Sequence, residues 1–429
     1  MLPPRVGPFM SPLNSPTELA SFDSDQRGSP AGRGLITLGP AFVAASAYVD
    51  PGNFATNMSA GSAYGYQLLW VIVAASLTAV VVQAAAARLG LATGRDLARL
   101  CRENTSRRTA TGLWIQAELV IVATELAEVI GGAVALAVLF GIPLVVGGAI
   151  TGAVAFVVLA LETRGLRRFE LAVAGLFAVI LCGFLYALVV AGPDAGSVAA
   201  GLKPGFAGPD SLLLATGIVG ATVMPHAVYL HSGLTAQHVG QWTARTGSSR
   251  LALLRGQRAD IGIALGLAAL VNVSMLIVAA EMPGRHPLDS LFDFHTAMRA
   301  EAGGAVATVF ALALLASGLA ATSVGTYTGQ TVMAGFLRRS LPRSLRRALT
   351  LLPALGILAT GLSPTTALVW SQVILSFGIP FALVPLLWLT SRRDLMGDLV
   401  NSRATSAALA GITVVISSLN FVLLWHLFA

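Results

Sequence analysis

The sequence of 429 residues has few charged side chains. Asp, Glu, Lys and Arg make up 11% of it, whereas they make up roughly 25% of an average soluble domain. Hydrophobic residues make up 55%, and they occur in long runs, as a helix of about 20 residues that crosses a bilayer requires. This balance excludes a disordered protein and argues against a soluble globular one. The sequence therefore predicts a polytopic membrane protein.

Cysteine is nearly absent, since the chain has only Cys101 and Cys182, which lie far apart. Their number and spacing exclude a disulfide framework and a CxxC metal or redox motif. The net charge of +7 does not indicate nucleic-acid binding, because the basic residues are scattered between apolar runs, which is typical of membrane topology. Residues 1–34 are rich in Ser, Pro and Gly and contain no apolar core. They are predicted to form a disordered cytoplasmic tail without a cleaved signal.

About eleven membrane spans are predicted from the apolar windows. They lie near residues 36–62, 67–93, 112–140, 145–162, 169–191, 210–237, 260–281, 303–328, 346–362, 366–390 and 404–428. If the N-terminus is cytoplasmic, all but three of the 27 Lys and Arg residues fall on the cytoplasmic side. The exceptions are Lys203, Arg285 and Arg299. This asymmetry predicts a cytoplasmic N-terminus and an extracytoplasmic C-terminus.

Two of the predicted spans are interrupted in the middle by proline. The first span contains the sequence DPGN from Asp50 to Asn53, and the sixth contains MPH from Met224 to His226. Proline removes a backbone donor and disrupts the preceding helical turn. The breaks are about 174 residues apart, and the same shift brings spans two to five onto spans seven to ten. This pattern predicts two inverted repeats of five spans, at 35–191 and 209–392, followed by an additional span at 404–428.

The groups near the two breaks suit a divalent cation. They are the side chains of Asp50, Asn53, Met224 and His226 and freed carbonyls such as those of Ala47 and Ala221. Carboxylate, amide and carbonyl oxygens bind many divalent ions, whereas a thioether favours softer transition metals over Ca²⁺ and Mg²⁺. The alternatives are that Asp50 and Asn53 only cap the second half-helix and that Met224 only fills the core.

The third span carries Glu118, Glu125 and Glu128 within about 80° of one helix face. Carboxylates inside a membrane span either pair with cations or line a wet path, as in relays that carry protons. The candidate cations are Arg346 and Arg347 at the start of the ninth span. The alternative for these arginines is an ordinary role as cytoplasmic anchors.

Three further polar residues lie in or beside the broken spans. His226 and His231 flank the second break and either titrate near neutral pH or hydrogen-bond the unwound segment. Gln372 lies in the otherwise apolar tenth span and needs a polar partner. It either reaches the metal in one conformation or hydrogen-bonds a broken helix.

These motifs together resemble the signature of the Nramp family of proton-coupled divalent metal transporters. DPGN, MPH and the following YLHS carry the resemblance. AELV and AEVIGG in span three, ASGL in span eight and SQVILSFGIPFALVPL in span ten resemble its bacterial MntH branch. The resemblance extends over essentially the whole chain from about residue 35.

The resemblance implies an all-α LeuT-type fold with ten core helices and one extra C-terminal helix. It also implies a transporter rather than an enzyme, located in the plasma (inner) cell membrane and working by alternating access. The implied substrates are Mn²⁺ and Fe²⁺, with Cd²⁺, Co²⁺ or Zn²⁺ in addition, and protons are co-transported. No resident cofactor and no obligatory protein partner are implied beyond the ions and the lipid bilayer.

The resemblance also assigns roles to residues. Asp50, Asn53 and Met224 become metal ligands, joined by the carbonyl of Ala221 in the outward-open state and by the carbonyl of Ala47 with Gln372 in more closed states. Asp50 is the implied first proton acceptor and His231 a gating residue. The implied proton pathway continues through a network of ionisable side chains, namely Glu125, Glu128, Glu118, Arg346, Arg347 and His226.

One residue departs from the pattern of the family, in which Asp often stands in place of Glu125, and the longer side chain bears on the coupling of metal to protons. Asn53 and Met224 together argue against the Mg²⁺-carrying branch of the family.

A carrier of the same fold for an organic substrate is a competing interpretation, although Asp50 would repel a substrate carboxylate. A membrane enzyme lacks support because HExxH, GxSxG and Asp-rich metal motifs are absent, and a channel is disfavoured by the two broken helices.

Overall fold

The computed structural model describes residues 40–160, 166–246, 250–282, 290–339 and 341–428. Within these ranges the chain is helical and contains no β-strand. The predicted tail at 1–34 lies outside the described residues. Cys101 is buried and Cys182 is exposed, and neither forms a disulfide.

The described helices follow the predicted spans. In the first half they are α1 (Pro40–Ala47), α2 (Pro51–Tyr64), α3 (Leu69–Thr93), α4 (Leu97–Asn104), α5 (Arg107–Phe140), α6 (Leu144–Ala160), α7 (Leu166–Ala191) and α8 (Ala195–Ala200). In the second half they are α9 (Pro209–Thr222), α10 (Pro225–Thr246), α11 (Arg250–Ala280), α12 (Leu291–Glu301), α13 (Gly304–Leu337), α14 (Arg343–Ala359), α15 (Pro364–Thr390), α16 (Arg393–Met396) and α17 (Arg403–Phe428).

Eight of the described helical segments are long and apolar enough to cross a membrane, with α9 and α10 counted as one. The remaining three predicted spans correspond to shorter helices: the pair α1 and α2, then α6, then α14. The chain is therefore a multi-pass membrane protein. The boundaries proposed for the two repeats, at residues 191, 209 and 392, stay predictions.

Several helices extend beyond the apolar windows from which they were predicted. Helix α11 begins at Arg250, about ten residues before the predicted window, and α13 continues to Leu337. Hydropathy detects only the segment inside the hydrocarbon, whereas a helix keeps its backbone hydrogen bonds after it enters the polar region.

Both predicted breaks are present. The first separates α1 from α2 at Tyr48–Asp50, and the second separates α9 from α10 at Val223–Met224. In each case a proline is the first residue of the following helix, where its missing N–H is tolerated and its fixed φ suits a helix start.

The broken helices are enclosed by the other spans. Helix α2 contacts α11, α9 and α15, and α10 contacts α3, α13 and α15. Helix α5 packs along α13, which brings the third and eighth spans together beside the first break. By contrast α17 lies at the periphery on α15 and α9, with large apolar side chains such as Val415 and Trp425 exposed as on a lipid-facing surface.

Close approach of α9 to α15 depends on Gly220. A Cβ atom at this position would overlap the backbone carbonyl of Gln372, so the two helices pack backbone to backbone. Because the overlapping atom belongs to the backbone, no side-chain rotation can relieve it.

We therefore expect Gly220→Ala to destabilise the fold. Overpacking of this kind costs about 1–3 kcal/mol and should lower the midpoint of thermal unfolding of the purified protein in detergent. Gly262→Ala is the matched control, because Gly262 lies on α11 with open space around its Cβ position and alanine is the better helix former. Equal midpoints for the two variants would contradict this packing.

Candidate metal-binding site and charged network

Asp50 and Asn53 form a capping box at the start of α2. Oδ1 of Asp50 accepts a hydrogen bond from the backbone N–H of Asn53 at 2.8 Å, and Oδ1 of Asn53 accepts one from the backbone N–H of Asp50 at 3.3 Å. This arrangement uses one polar atom of each side chain. Oδ2 of Asp50 and Nδ2 of Asn53 are buried and have no hydrogen-bond partner. Capping therefore leaves one carboxylate oxygen free.

Side chains from other helices satisfy two of the carbonyls at the first break. Nδ2 of Asn272 on α11 donates to the carbonyl of Tyr48 at 2.8 Å. The hydroxyl of Ser317 on α13 donates to the carbonyl of Val49 at 2.6 Å. The unwound segment is thus held in place by donors from two surrounding spans.

The carbonyl of Ala47 has a different environment. In a continuous helix its donor would be the backbone nitrogen four residues later, which belongs to Pro51 and carries no hydrogen. At the second break the same relation holds between Ala221 and Pro225. Each break therefore leaves one carbonyl without its helical donor at the equivalent position.

Met224 occupies the second break in the position that corresponds to Asp50 in the first. Its side chain is fully buried, in the same cluster as Ala47 and Val49. The thioether thus lies inside the bundle at the second break, immediately before Pro225 as Asp50 lies immediately before Pro51.

Gln372 on α15 lies against both broken spans. A Cβ atom at Gly52, in the first turn of α2, would overlap the side-chain amide of Gln372. A Cβ atom at Gly220, in α9, would overlap the backbone carbonyl of Gln372. The amide nitrogen donates to the hydroxyl of Ser371 at 3.2 Å, while Oε1 is buried without a partner. The prediction that Gln372 reaches the metal requires a side-chain oxygen without a hydrogen-bond partner, and Oε1 meets this requirement.

The region around the breaks contains an excess of unsatisfied oxygen atoms. Besides Asp50 and Gln372, the hydroxyl of Thr222 is buried without a hydrogen-bond partner. Buried polar atoms without partners are destabilising, and a bound cation would satisfy the free oxygens of Asp50 and Gln372. Thr222 was not singled out from the sequence, and its side chain lies near Tyr48, Ser76 and Asn272.

The donor set differs from that of a tight structural metal site. Within the described ranges, no group of three or more His, Cys, Asp or Glu side chains is placed to hold a metal. One carboxylate, amide oxygens, a thioether and two carbonyls remain, which suits a divalent ion of intermediate softness. Asp50, Asn53 and Met224 are each 0% exposed, so their side chains are out of contact with solvent in this structure.

Two of the three carboxylates on α5 pair with arginines from α14. Glu118 binds Arg346 through both oxygens, at 2.7 and 3.2 Å. Glu125 pairs with Arg347 at 3.4 Å, while its other oxygen is buried without a partner. The arginines therefore point into the bundle and neutralise charge there, rather than serving only as surface anchors.

Glu128 lies between these ion pairs and the first break. It is buried, forms no ion pair with any described residue, and interacts electrostatically with Asp50, Glu125 and Arg347. Its Oε2 has no hydrogen-bond partner. The acidic groups thus form a series from Asp50 through Glu128 to Glu125, which ends at the arginines of α14.

The two histidines belong to separate hydrogen-bond networks. Nδ1 of His226 lies 3.3 Å from the hydroxyl of Thr124, the residue before Glu125. Nδ1 of His231 lies 2.9 Å from Oε1 of Gln83 on α3, and Nε2 of Gln83 donates to the hydroxyl of Tyr48 at 2.5 Å. His226 therefore connects the second break to the acidic helix, and His231 connects α10 to the first break.

Comparison with known proteins agrees with this architecture. A family model described as "Natural resistance-associated macrophage protein-like" (Nramp) matches residues 41–426. The chain is 47% identical over 390 residues to a divalent metal cation transporter MntH from Mycobacterium leprae, an alignment that covers 90% of this chain and 91% of the relative.

Solved structures of transporters also superpose on this chain. A manganese transporter from Eremococcus coleocola superposes with a TM-score of 0.80 at 35% identity, covering 92% of this chain and 88% of that one. The LeuT-fold transporter Mhp1 superposes with a TM-score of 0.58 at 18% identity, covering 85% and 81% of the two chains. The second similarity concerns the fold alone and confirms the predicted LeuT-type architecture, while the breaks in the first and sixth spans and the additional C-terminal helix are seen in the helices of this chain.

Proposed function

This chain belongs to the Nramp family and is a divalent metal cation transporter, and we propose that it imports Mn²⁺ and Fe²⁺ together with protons. Cd²⁺, Co²⁺ and Zn²⁺ are proposed as further substrates. The proposal includes alternating access across the cell membrane, with the N-terminus in the cytoplasm and the C-terminus outside. The orientation rests on the basic residues, nearly all of which fall on one side of the predicted topology.

The single observation that carries the metal assignment is the pair of equivalent breaks, each with a carbonyl that has lost its helical donor to proline. Oδ2 of Asp50 at the first break is buried without a partner, and Gln372 lies against both broken spans, with its side chain at Gly52 and its backbone at Gly220. We assign Asp50, Asn53 and Met224 as metal ligands, with the carbonyl of Ala221 in the outward-open state. The carbonyl of Ala47 and Oε1 of Gln372 join in more closed states.

The composition of this site favours release as well as binding. A single carboxylate leaves part of the charge of a dication uncompensated, so the ion is held less firmly than at a site with several anions. The thioether of Met224 discriminates against hard ions, because Ca²⁺ and Mg²⁺ prefer oxygen ligands. The transported ion and the protons are the only non-protein components that this mechanism needs.

The proposed proton pathway starts at Asp50 and uses the series of carboxylates on α5. Glu128 interacts with both Asp50 and Glu125, so it is suited to pass a proton between them. The pathway then continues past the ion pairs that Glu125 and Glu118 form with Arg347 and Arg346. After Asp50, the residues that we assign to the pathway are Glu128, Glu125, Glu118, Arg346, Arg347 and His226. His226 tunes the pathway through its contact with Thr124.

Alternating access would occur at the breaks, where the half-helices can turn about segments without helical hydrogen bonds. The connection from His231 through Gln83 to Tyr48 ties α10 to the first break. We therefore assign His231 a gating role, in which loss of this connection accompanies the movement of the two broken spans relative to α3.

Uptake of Mn²⁺ into liposomes, with excess Mg²⁺ and Ca²⁺ as competitors, tests the proposed function directly. We expect uptake to persist in the wild type and to fall to the level of protein-free liposomes in Asp50→Ala, because the carboxylate at the first break is lost. Asp194→Ala is a matched control, since Asp194 also caps a helix by accepting a backbone N–H at 2.7 Å, but it does so at the start of the exposed α8. Loss of each cap costs about 1 kcal/mol, so only Asp50→Ala should abolish uptake. Wild-type uptake that Mg²⁺ abolishes would refute the transition-metal assignment.

Met224→Ala should retain part of the Mn²⁺ uptake but lose selectivity. Without the thioether, we expect inhibition by Ca²⁺ or Mg²⁺ to need about tenfold less competitor, which corresponds to about 1.4 kcal/mol. The measurement is the competitor concentration that halves Mn²⁺ uptake. Met298→Ala removes an equally buried methionine on α12 and should leave that concentration unchanged. Unchanged selectivity in Met224→Ala would show that the thioether does not discriminate.

Glu128→Gln should uncouple protons from metal. The amide keeps the shape of the side chain but cannot take up a proton, so we expect much less acidification of the liposome interior per Mn²⁺ ion while Mn²⁺ still moves down its own gradient. A pH-sensitive dye inside the liposomes measures the protons. Glu103→Gln on α4, where the carboxylate pairs with Arg95 and Arg99, should behave as wild type. Normal acidification in Glu128→Gln would exclude this residue from the pathway.

A further inference from the structure

A third buried carbonyl loses its helical donor to proline, and it lies in α15. The carbonyl of Ser376 would accept a hydrogen bond from the nitrogen of residue 380, but this residue is Pro380. Ser376 is fully buried, so water cannot take the place of the missing donor. The carbonyl of Ser376 therefore requires a donor from another part of the protein.

Asn420 on the peripheral helix α17 supplies that donor. Its Nδ2 donates to the carbonyl of Ser376 at 2.9 Å, and its Oδ1 accepts a hydrogen bond from the Ser376 hydroxyl at 2.7 Å. The second bond fixes the orientation of the amide, so that its nitrogen faces the carbonyl. Asn420 is itself buried, although most of α17 faces outward.

The capped carbonyl lies one helical turn, about 6 Å, from Gln372. On another side of the same turn, a Cβ atom at Gly220 would meet both the carbonyl of Gln372 and the backbone nitrogen of Ser376. This turn of α15 is therefore held between α9, at the second break, and the amide of Asn420. Movement of the turn would carry the Gln372 side chain away from Gly52 and the first break.

We propose that Asn420 is a positioning residue for metal transport. By replacing the donor that Pro380 lacks, it fixes the Ser376 turn of α15 and holds Gln372 at the metal site. The eleventh span, outside the ten-helix core, thus contributes to the geometry of the site through one side chain. This inference rests on the proposed role of Gln372 as a ligand in more closed states.

The decisive test combines Asn420→Ala with Pro380→Ala. In Asn420→Ala we expect the Mn²⁺ concentration for half-maximal uptake into liposomes to rise about tenfold. In the double variant Asn420→Ala/Pro380→Ala this rise should largely disappear, because residue 380 again carries an N–H that can bond the Ser376 carbonyl. Persistence of the full defect in the double variant would overturn the proposal.

A second pair of variants separates positioning from general destabilisation. If Asn420 acts through Gln372, the variant Asn420→Ala/Gln372→Ala should transport no worse than Gln372→Ala alone. Independent, multiplying defects would refute the connection. Ser417→Ala, one turn earlier on the exposed part of α17, should leave uptake unchanged.

Thermal unfolding in detergent distinguishes a failure of this inference from a failure of the proposed function. Asn420→Ala should lower the unfolding midpoint and Pro380→Ala should restore it, whether or not Mn²⁺ is the substrate. Restored stability without any Mn²⁺ uptake by the wild type would refute the metal assignment and retain the cap. If the wild type takes up Mn²⁺ but Pro380→Ala restores neither the uptake nor the unfolding midpoint of Asn420→Ala, only the role of Asn420 as a cap of the Ser376 carbonyl is refuted.

Discussion

The architecture depends on the hydrogen-bonding requirement of backbone carbonyls inside a membrane. Away from water, a carbonyl without a donor is destabilising, and proline at the right position creates one. The protein satisfies some of these carbonyls with side chains from other spans, as Asn272 and Ser317 do at the first break. The carbonyls of Ala47 and Ala221 lose their helical donors to proline, and in the proposed function a cation takes the place of the missing donor.

The distribution of charge follows the same logic. Glu118 and Glu125 pair with arginines toward one end of α5, whereas Glu128 and Asp50 have no basic partner among the described residues. A buried carboxylate without a cation is strongly disfavoured in its ionised form. The central pair of acids is thus suited to bind either a metal ion or protons, and the outer ion pairs keep the remaining charges balanced within the bundle.

Much of this fold could be predicted from sequence, because both its spans and its breaks depend on local features. Long apolar runs give the spans, and Pro51 and Pro225 give the breaks. Asp50 proved to be a helix cap as well as a candidate ligand, so the two predicted alternatives are compatible. The ends of α11 and α13 were misjudged because helices continue past the hydrocarbon. Partners such as Asn272, Ser317 and Gln83 were missed because they depend on how each helix is rotated about its axis, and hydropathy carries little information about that rotation.

The capping box at the first break uses the same two side chains to start a helix and to offer candidate metal ligands. Asp50 and Asn53 start α2 and are also the candidate ligands, so a substitution that changes the ion preference there also changes how the helix begins. At the second break the helix begins at Pro225, and the thioether of Met224 is at most a weak hydrogen-bond acceptor. The two halves of the site therefore differ in their tolerance of change. A substitution at Met224 can therefore change the ion preference with little effect on the start of α10. A substitution at Asp50 or Asn53 changes the ion preference and the start of α2 together.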